Sequence, residues 1–232
     1  MTQWPKKIPV LTEEQTRIRH DFMKLWHEVL PTKYSFIEKV NQKFAMMRKP
    51  NPNVMTRTLE IGAGLGSHIA YEDLTNQEYF INDIRANFME TALKRYPQLK
   101  SVVGDVQVGL NLPDGYFDRI IAIHVLEHMP DLPKALIEMK RLLKPGGYIS
   151  AVIPCEGGLA YQLAREISAK RIFEKTYNTS YDWFIKTEHV STAAEIFSEL
   201  KKDFEIERSS YFPLMIPVIT ANLVIGLTCK VK

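Results

Sequence analysis

Three glycines at alternating positions form the stretch of the chain whose chemistry is easiest to interpret. Gly62, Gly64 and Gly66 directly follow the apolar strand pattern of residues 57–61. Glycine permits a sharp turn and lets the backbone approach a ligand more closely than any Cβ would allow. The pattern predicts a strand, a ligand-binding turn and a helix whose free N–H groups point at the ligand. A dinucleotide site normally has its third glycine at the position of Ser67, so nicotinamide and flavin dinucleotides are not favoured.

Four further landmarks follow this turn in a definite order. Asp83 ends a second apolar run, and Gly104-Asp105-Val106 follows a third. The segment Phe117–Met129 then carries His-Val-Leu-Glu-His, and Leu142–Tyr148 carries Lys-Pro-Gly-Gly. With the acidic Glu60 before the first glycine, this order resembles class I S-adenosylmethionine-dependent methyltransferases, in particular the broad small-molecule family with the Val-Leu-Glu-His motif. The resemblance extends to about residue 150.

The resemblance implies an α/β fold, and the alternation of strand and helix patterns agrees with it. We expect a Rossmann-like, seven-stranded, mostly parallel sheet with an antiparallel last strand, helices on both faces and an N-terminal helical lid. The predicted strands lie near residues 57–61, 79–83, 100–104, 118–123, 147–153, 204–212 and 222–230. The predicted helices of this region lie near residues 65–73, 86–96, 132–143 and 159–170, with one more capped by Thr192 and Glu195.

Two amphipathic helices are predicted before the glycine turn. Thr12 and Gln15 form a capping box for a helix over residues 12–30, and Pro31 restarts the apolar pattern for a second helix that ends before residue 48. These helices either only pack on the sheet or close over the cofactor as a lid, with Tyr34 as a candidate gate. We predict one methyltransferase domain with four parts, namely a helical cap (1–53), a cofactor-binding half (54–153), a substrate-side insertion (154–190) and a C-terminal helix with strands (191–232).

The resemblance assigns the cofactor contacts of S-adenosylmethionine to particular positions. Backbone contacts are expected from Gly62, Ala63 and Gly64, while Glu60 either faces the cofactor's ammonium group or only orders the loop. Asp83 lies about 20 residues beyond the first glycine, the usual interval for an acid that binds ribose.

The adenine ring is expected to lie between two apolar positions. Ile84 would pack on the ring, and Asp105, after Gly104, would accept a hydrogen bond from its amino group beside Val106. An Asp-Gly pair is also common in turns, so a purely local role for Asp105 is the alternative.

Two histidines are the candidate catalytic residues. Methyl transfer from a sulfonium requires an aligned nucleophile and removal of its proton, which a neutral histidine can accept near pH 7. His124 begins the segment after the fourth strand, where it would also border the cofactor, and His189 is the best-placed residue of the insertion. Each could instead be a packed or solvated side chain, and the Glu127-His128 pair could only buttress its loop.

The same segment also resembles the Glu-x-x-Glu-His motif of metal-dependent O-methyltransferases in ubiquinone synthesis and small-RNA 3′-end methylation. Here His124 replaces the first glutamate, and His189 occupies a place similar to that of a further histidine in the small-RNA enzymes. A divalent ion held by these two residues with Glu127 and His128 could lower the pKa of an acceptor hydroxyl. Because Leu-Glu-His is common in enzymes without a metal, use of a metal is left open.

The insertion contains a group of aromatic residues that could stack on a sugar or a ring. They could equally anchor a lid, and they are Tyr161, Tyr177, Tyr181, Trp183 and Phe184. The segment of residues 211–227 is apolar but interrupted by two prolines and an asparagine, so it is predicted to form two strands and a connection rather than a membrane span.

Composition restricts the classes of partner. The 232 residues carry a formal charge of only +3 with scattered basic residues, which does not favour nucleic-acid binding. Two cysteines and a polar start indicate a cytoplasmic protein without a disulfide or a transmembrane segment. The assembly is left open, with a homodimer as one option.

The sequence therefore predicts a methyltransferase that acts on a small-molecule acceptor. O-methylation of a hydroxylated sugar, glycan precursor or secondary metabolite is the leading interpretation. The alternatives are N-methylation of a small molecule, RNA 2′-O-methylation and a cofactor-binding module without turnover.

Overall fold

The computed structural model describes residues 3–232, with the side chains of residues 26–33 excluded. Its described strands form one sheet of seven strands: β1 (Thr56–Ile61), β2 (Gln77–Asp83), β3 (Lys100–Val103), β4 (Phe117–Ile123), β5 (Leu143–Pro154), β6 (Phe204–Phe212) and β7 (Val224–Val231). The order across the sheet is β3-β2-β1-β4-β5-β7-β6. The first five strands pair in parallel, and β7 runs antiparallel to both of its neighbours. The predicted fold class is confirmed.

Helices cover both faces of the sheet. The described helices are α1 (Glu13–Lys33), α2 (Ser35–Ala45), α3 (Ala86–Arg95), α4 (Leu132–Leu142), α5 (Leu159–Arg165), α6 (Arg171–Tyr177), α7 (Asp182–Glu188) and α8 (Ala193–Asp203). One face packs α4 and α8 against Leu59, Ile120 and their neighbours, and the other packs α2 and α3 against Ile81 and Ile121. Apolar side chains on both faces explain why these strands alternate so little between apolar and polar residues.

A third hydrophobic cluster lies apart from the sheet. It joins α1 to the insertion through Ile18, Phe22, Ala169, Phe173, Tyr181 and Phe184, and we call these six residues the cap cluster. α1 therefore packs against the insertion, whereas α2 packs on the sheet, where a Cβ at Gly226 would lie 2.5 Å from the Phe44 Cβ. The two N-terminal helices therefore pack against different parts of the molecule.

The prediction of a helix over residues 65–73 is wrong. Only the single 3-10 turn His68–Tyr71 forms there, because Glu72 turns to extended backbone and its carboxylate accepts a hydrogen bond from Arg119 inside the fold. In this stretch the Gly66 N–H donates to the Ala63 carbonyl at 2.8 Å and the Ile69 N–H donates to the Gly66 carbonyl at 3.3 Å.

Other boundaries differ by smaller amounts. The capping boxes at Thr12 and Thr192 both form. α1 continues past Pro31 to Lys33, so the chain stays helical beyond the point at which the proline was predicted to restart the pattern. The predicted apolar contacts of Trp26, Val29 and Leu30 lie outside the described side chains.

The insertion is more helical than predicted. α5 runs through a π-helical turn, Glu166–Lys170, directly into α6, and α7 lies in a stretch for which no helix was predicted. Residues 211–227 form the predicted strands and connection. Among the described residues, no helix is both long and apolar enough to cross a bilayer. Cys155 and Cys229 are buried, free thiols.

Candidate functional site

The carboxyl ends of β1, β2 and β4 meet at one edge of the sheet. β1 lies between β2 and β4, with Ile61 paired to Asn82 on one side and to Ala122 on the other. Ligands of open parallel sheets bind at such an edge.

The three glycines of the turn all have positive φ, but they differ in what surrounds them. Gly62 has φ 69° and a Cβ there would lie 2.3 Å from a methyl group of Val125, while a Cβ at Gly66 would lie 2.8 Å from that of Ala92 on α3. Gly64 has φ 53° and faces open space. Two glycines are therefore required by packing, and Gly64 is the one that leaves the backbone accessible to a ligand.

Asp83 organises the neighbouring turn. Its Oδ2 accepts a hydrogen bond from the Gly64 N–H at 3.1 Å, and its Oδ1 accepts from the Arg85 N–H at 2.9 Å and the Arg85 Nε–H at 3.2 Å. Ile84, the next residue, is 67% exposed at the sheet edge. The structure thus brings the predicted ribose acid and the predicted adenine-packing residue next to the glycine turn.

The segment after β3 forms a compact turn beside Asp83. The Gly104 N–H donates to the Asp83 carbonyl at 3.2 Å, and the Asp105 Oδ1 accepts from the Gln107 N–H at 2.9 Å. Val106 is only 3% exposed and packs in the sheet core, so it offers little surface to an adenine ring. Asp105 has the local turn contacts of the alternative and is partly exposed as well.

Glu60 lies beneath the glycine turn rather than in the open. It is 4% exposed, and the Tyr79 hydroxyl donates to its Oε2 at 2.9 Å. Burial raises the pKa of Glu60. This placement favours the interpretation in which Glu60 supports the loop.

His124 follows β4 directly in a strained conformation. Its φ of 51° is uncommon for a residue with a side chain, and strain of this kind gathers at functional sites. The His124 N–H donates to the Val152 carbonyl at 2.8 Å, and its Nδ1 lies 3.2 Å from the Glu127 Oε1. The ring is one third exposed and adjoins Val125, the residue that packs on Gly62.

The other predicted histidine joins the same group from the insertion. One ligand atom from each of Glu127, His128 and His189 lies within 4.8 Å of the others. The His128 and His189 rings are nearly perpendicular, with centroids 4.9 Å apart. The backbone holds this junction together, because the Glu127 carbonyl accepts from the Val190 N–H at 2.9 Å and the Ser191 N–H at 3.1 Å.

Two residues that the sequence did not single out position His189. Glu156 Oε2 lies 2.7 Å from His189 Nδ1, and Arg165 Nη1 donates to both oxygens of Glu156 at 2.7 and 2.8 Å. Burial by itself raises the pKa of Glu156, but the hydrogen bonds from His189 and Arg165 outweigh burial and lower it. The only local signal for Glu156 is its place just after the fifth strand, where functional side chains of parallel sheets gather.

Most aromatic residues of the insertion do not face the site. Tyr181 and Phe184 are buried in the cap cluster, and Tyr177 and Trp183 pack against it, so they anchor the insertion instead of offering faces to an acceptor. Tyr161 is the exception, because its ring stacks beside His189 with centroids 6.4 Å apart. Tyr34 lies between α1 and α2, where its carbonyl accepts from the Glu38 N–H at 3.1 Å.

The chain resembles known methyltransferases in sequence over its central part. Residues 59–151 match the methyltransferase domain family. A highly reducing polyketide synthase of Alternaria alternata is 34% identical over 134 residues, which are 50% of this chain and 5% of the synthase. The chain thus spans a small part of the length of this curated relative.

Solved structures share the fold over most of the chain. A possible histamine N-methyltransferase from Thermotoga maritima superposes with a TM-score of 0.65 at 19% identity, covering 93% of this chain and 99% of that one. The CurJ carbon methyltransferase superposes with a TM-score of 0.60 at 20% identity, covering 83% of this chain and 54% of that one. The family match over residues 59–151, the sheet order and the landmarks in register all support a class I S-adenosylmethionine-dependent methyltransferase, a family whose cofactor is S-adenosylmethionine.

Proposed function

We propose that S-adenosylmethionine is held at the edge formed by β1, β2 and β4. The open space at Gly64 suits backbone contact, and Gly62 and Ala63 complete that part of the cradle. Asp83 has acceptor capacity beyond its contacts with Gly64 and Arg85, since a carboxylate has about four lone-pair sites. The exposed surface of Ile84 suits adenine, with Gly104 and Asp105 beside it.

We propose that the acceptor is a small molecule with a hydroxyl group and that the product is its O-methyl derivative. The observation that supports this best is the histidine and carboxylate group beside the glycine turn, in which Glu127 holds His124 next to Val125. A hydroxyl needs to lose its proton to become a good nucleophile, whereas the bound sulfonium supplies an already activated methyl group.

In this proposal His124 is the proton acceptor. Burial raises the pKa of Glu127, but the hydrogen bond from His124 and the charge of His128 outweigh burial and lower that pKa to about 2. The ionised carboxylate therefore accepts from His124 Nδ1–H, which leaves the lone pair on Nε2. His189, oriented by Glu156, is the second candidate for this role.

The cap belongs to the proposal as the part that covers the acceptor. Helix α1 of the N-terminal part (1–53) and the insertion (154–190) meet in the cap cluster, and the insertion also brings His189 into the group with Glu127 and His128. A cover of this kind would exclude water and position the acceptor.

A second candidate is methylation of a polyketide-type acceptor at an activated carbon. The 34% identity of 134 residues to a highly reducing polyketide synthase of Alternaria alternata favours it. A carbon acid also requires a base, so His124 and His189 would serve either reaction.

The test combines labelled cofactor with an acceptor panel. The full chain is incubated with S-adenosylmethionine carrying a ¹³C-methyl group and with hydroxylated aromatics, sugars and β-ketoacyl thioesters, and the methylated atom is identified by NMR. An O-methyl product is expected. A product methylated only at carbon or nitrogen would contradict O-methylation, and the first would support the second candidate.

The role of His124 is tested by His124→Asn, because asparagine tolerates positive φ. Loss of a general base should lower kcat by about a hundredfold or more, with cofactor affinity unchanged by calorimetry. His20→Asn, an exposed change on α1, is the matched control. An unchanged kcat in His124→Asn would remove His124 as the base.

A further inference from the structure

The group formed by Glu127, His128 and His189 has a feature that the base mechanism does not use. Glu127 is fully buried, and its Oε2 has no hydrogen-bond partner among the described residues. A buried carboxylate oxygen without a partner is costly, and its presence calls for a bound ion or water as explanation. Glu127 is also the buried member of the group in which one ligand atom from each residue lies within 4.8 Å of the others.

Hydrogen bonds determine which ring nitrogens are available. The Glu188 carbonyl oxygen lies 2.7 Å from His128 Nδ1 and can only accept, so this Nδ1 carries the proton. The ionised Glu156 lies 2.7 Å from His189 Nδ1, which therefore also donates. In the neutral rings the lone pairs are consequently on Nε2 of both histidines.

Each member of the group thus keeps one lone pair without a partner among the described contacts, namely Nε2 of each histidine and Oε2 of Glu127, and one ligand atom of each residue lies within 4.8 Å of the others. A single water molecule has two hydrogens and cannot donate to all three acceptors. A divalent cation accepts from all three at once. Two histidines and one carboxylate are also the ligand number and types of open catalytic metal sites.

The surrounding contacts match those that support metal ligands. Ligating histidines usually donate their second N–H to a carbonyl or carboxylate, as His128 does to Glu188 and His189 does to Glu156. Arg165 in turn holds Glu156 through both oxygens. The Glu127 side chain is fully buried and that of His189 is 16% exposed, while the His128 side chain is 34% exposed, which leaves one side of the group open to an incoming molecule.

We infer that Glu127, His128 and His189 bind one divalent first-row transition metal ion, of the zinc or iron(II) type, with an open position toward the acceptor. Of the four residues that the sequence grouped, His124 is outside the ligand set, because its Nδ1 contacts Glu127 Oε1. The inference rests on the proposed function in one respect, namely that the open position would take the acceptor's oxygen and select acceptors with a hydroxyl or enolate group.

Cobalt(II) is the probe, because its visible spectrum reports its coordination. The full chain is stripped with a chelator and titrated with Co²⁺ without acceptor or cofactor, and bound metal is measured by mass spectrometry. One ion per chain with visible absorption bands is expected, together with a rise in Tm, since a ligand of the native state stabilises it. A wild-type chain that retains no cobalt would overturn the inference in favour of a water or a shared proton.

Three variants locate the site, and circular dichroism verifies that each is folded. His189→Asn and Glu127→Gln should lose the cobalt bands, and Glu156→Gln, which keeps all three ligands, should bind about 10- to 100-fold more weakly. His20→Asn is the control for adventitious histidine binding and should titrate like wild type. If Glu127→Gln does not fold, His189→Asn decides, and wild-type cobalt affinity in that folded variant would overturn the assignment.

Different results would contradict the metal site and the proposed reaction. A chain that binds cobalt but methylates no acceptor would contradict the proposed function and support the metal site. A stripped chain that methylates its acceptor at the full rate, and that binds no cobalt, would overturn the metal site and leave His124 as the base.

Discussion

The sheet core and the cap cluster are built from different kinds of residue. The sheet core is dominated by aliphatic side chains such as Ile120, Ile121 and Leu59, whereas four of the six cap-cluster residues are aromatic. Phe173 alone has its ring within 5.2 Å of Phe22, Tyr181 and Phe184 in edge or tilted geometry. A few large rings bury much area in a small cluster, which suits a cap that lacks a sheet of its own.

The two regions also differ in their relation to known proteins. The family match covers residues 59–151, and this range includes none of the cap cluster. Polar contacts join the regions where the histidines meet, at Glu127 with Val190 and at His128 with Glu188. The sheet therefore contains the part of the chain that matches the methyltransferase domain family, and the cap cluster lies outside that match.

The largest expected effect separates the stability of the cap from that of the sheet. Phe173→Ala should cost about 3 to 5 kcal/mol in the cap by leaving a cavity. Limited proteolysis should then cut residues 159–188 much faster, while cofactor binding measured by calorimetry persists. Ile167→Ala, at an exposed position of the same insertion, is the control. Equal proteolysis of both variants would show that the two regions do not unfold separately.

The second prediction concerns the buried ion pair between Glu72 and Arg119, which also contacts the end of α2. Burial raises the pKa of Glu72, but hydrogen bonds from His68 and Gln77 and the charge of Arg119 outweigh burial and lower it from 4.5 to about 2. Arg119 also donates to the Ala45 carbonyl at 2.8 Å, which links this buried pair to the end of α2.

A lowered folded-state pKa stabilises the protein above the unfolded pKa, and this stability is lost as pH falls from about 4.5 toward 2. The contribution is on the order of 3 kcal/mol. Glu72→Gln should therefore be less stable than wild type at pH 7 in denaturant titrations, and the difference should shrink across that window. Glu90→Gln, at an exposed position on α3, should follow wild type. A difference that stays constant with pH would contradict the role of the Glu72 charge.

The third prediction concerns cofactor affinity in the sheet region. Asp83→Ala removes the carboxylate proposed to bind ribose and should cost about 1.5 to 3 kcal/mol for charged hydrogen bonds, a tenfold to hundredfold rise in Kd by calorimetry. Proteolysis of the cap without cofactor should be unchanged. Asp73→Ala, an exposed change near the 3-10 turn, should bind like wild type. An unaltered Kd would remove Asp83 from the site.

The smallest expected effect distinguishes two glycines of the turn. Gly62→Ala forces a Cβ against Val125, whereas Gly64→Ala meets only open space, so Gly62→Ala should lose about 1 to 3 kcal/mol more stability through overpacking. Gly64→Ala should mainly weaken cofactor binding, and it should lower the stability less than Gly62→Ala does. Thermal unfolding and calorimetry on both variants measure the contrast, and equal losses of stability would show that the packing against Val125 does not matter.

Local patterns were sufficient for much of the fold. The glycine turn, the alternation of strands and helices, and the capping boxes at Thr12 and Thr192 depend on residues within a few positions of each other, so spacing alone indicates them. The prediction of a helix over residues 65–73 was wrong because Glu72 has its partner at Arg119, 47 positions away. Local propensity does not report such a contact.

The sequence by itself indicated the class of enzyme through the order of its landmarks. It also determined which residues meet at the sheet edge, because the carboxyl ends of parallel strands converge wherever that strand order forms. Only the tertiary structure decided what surrounds them. Glu156 and His189 are 33 positions apart and form a pair because the insertion folds back over β5. Tyr181 and Phe184 turn into the cap because Phe22 of α1 offers their rings more buried contact than an open site does. These contacts join residues that are far apart in the sequence, so local spacing does not indicate them.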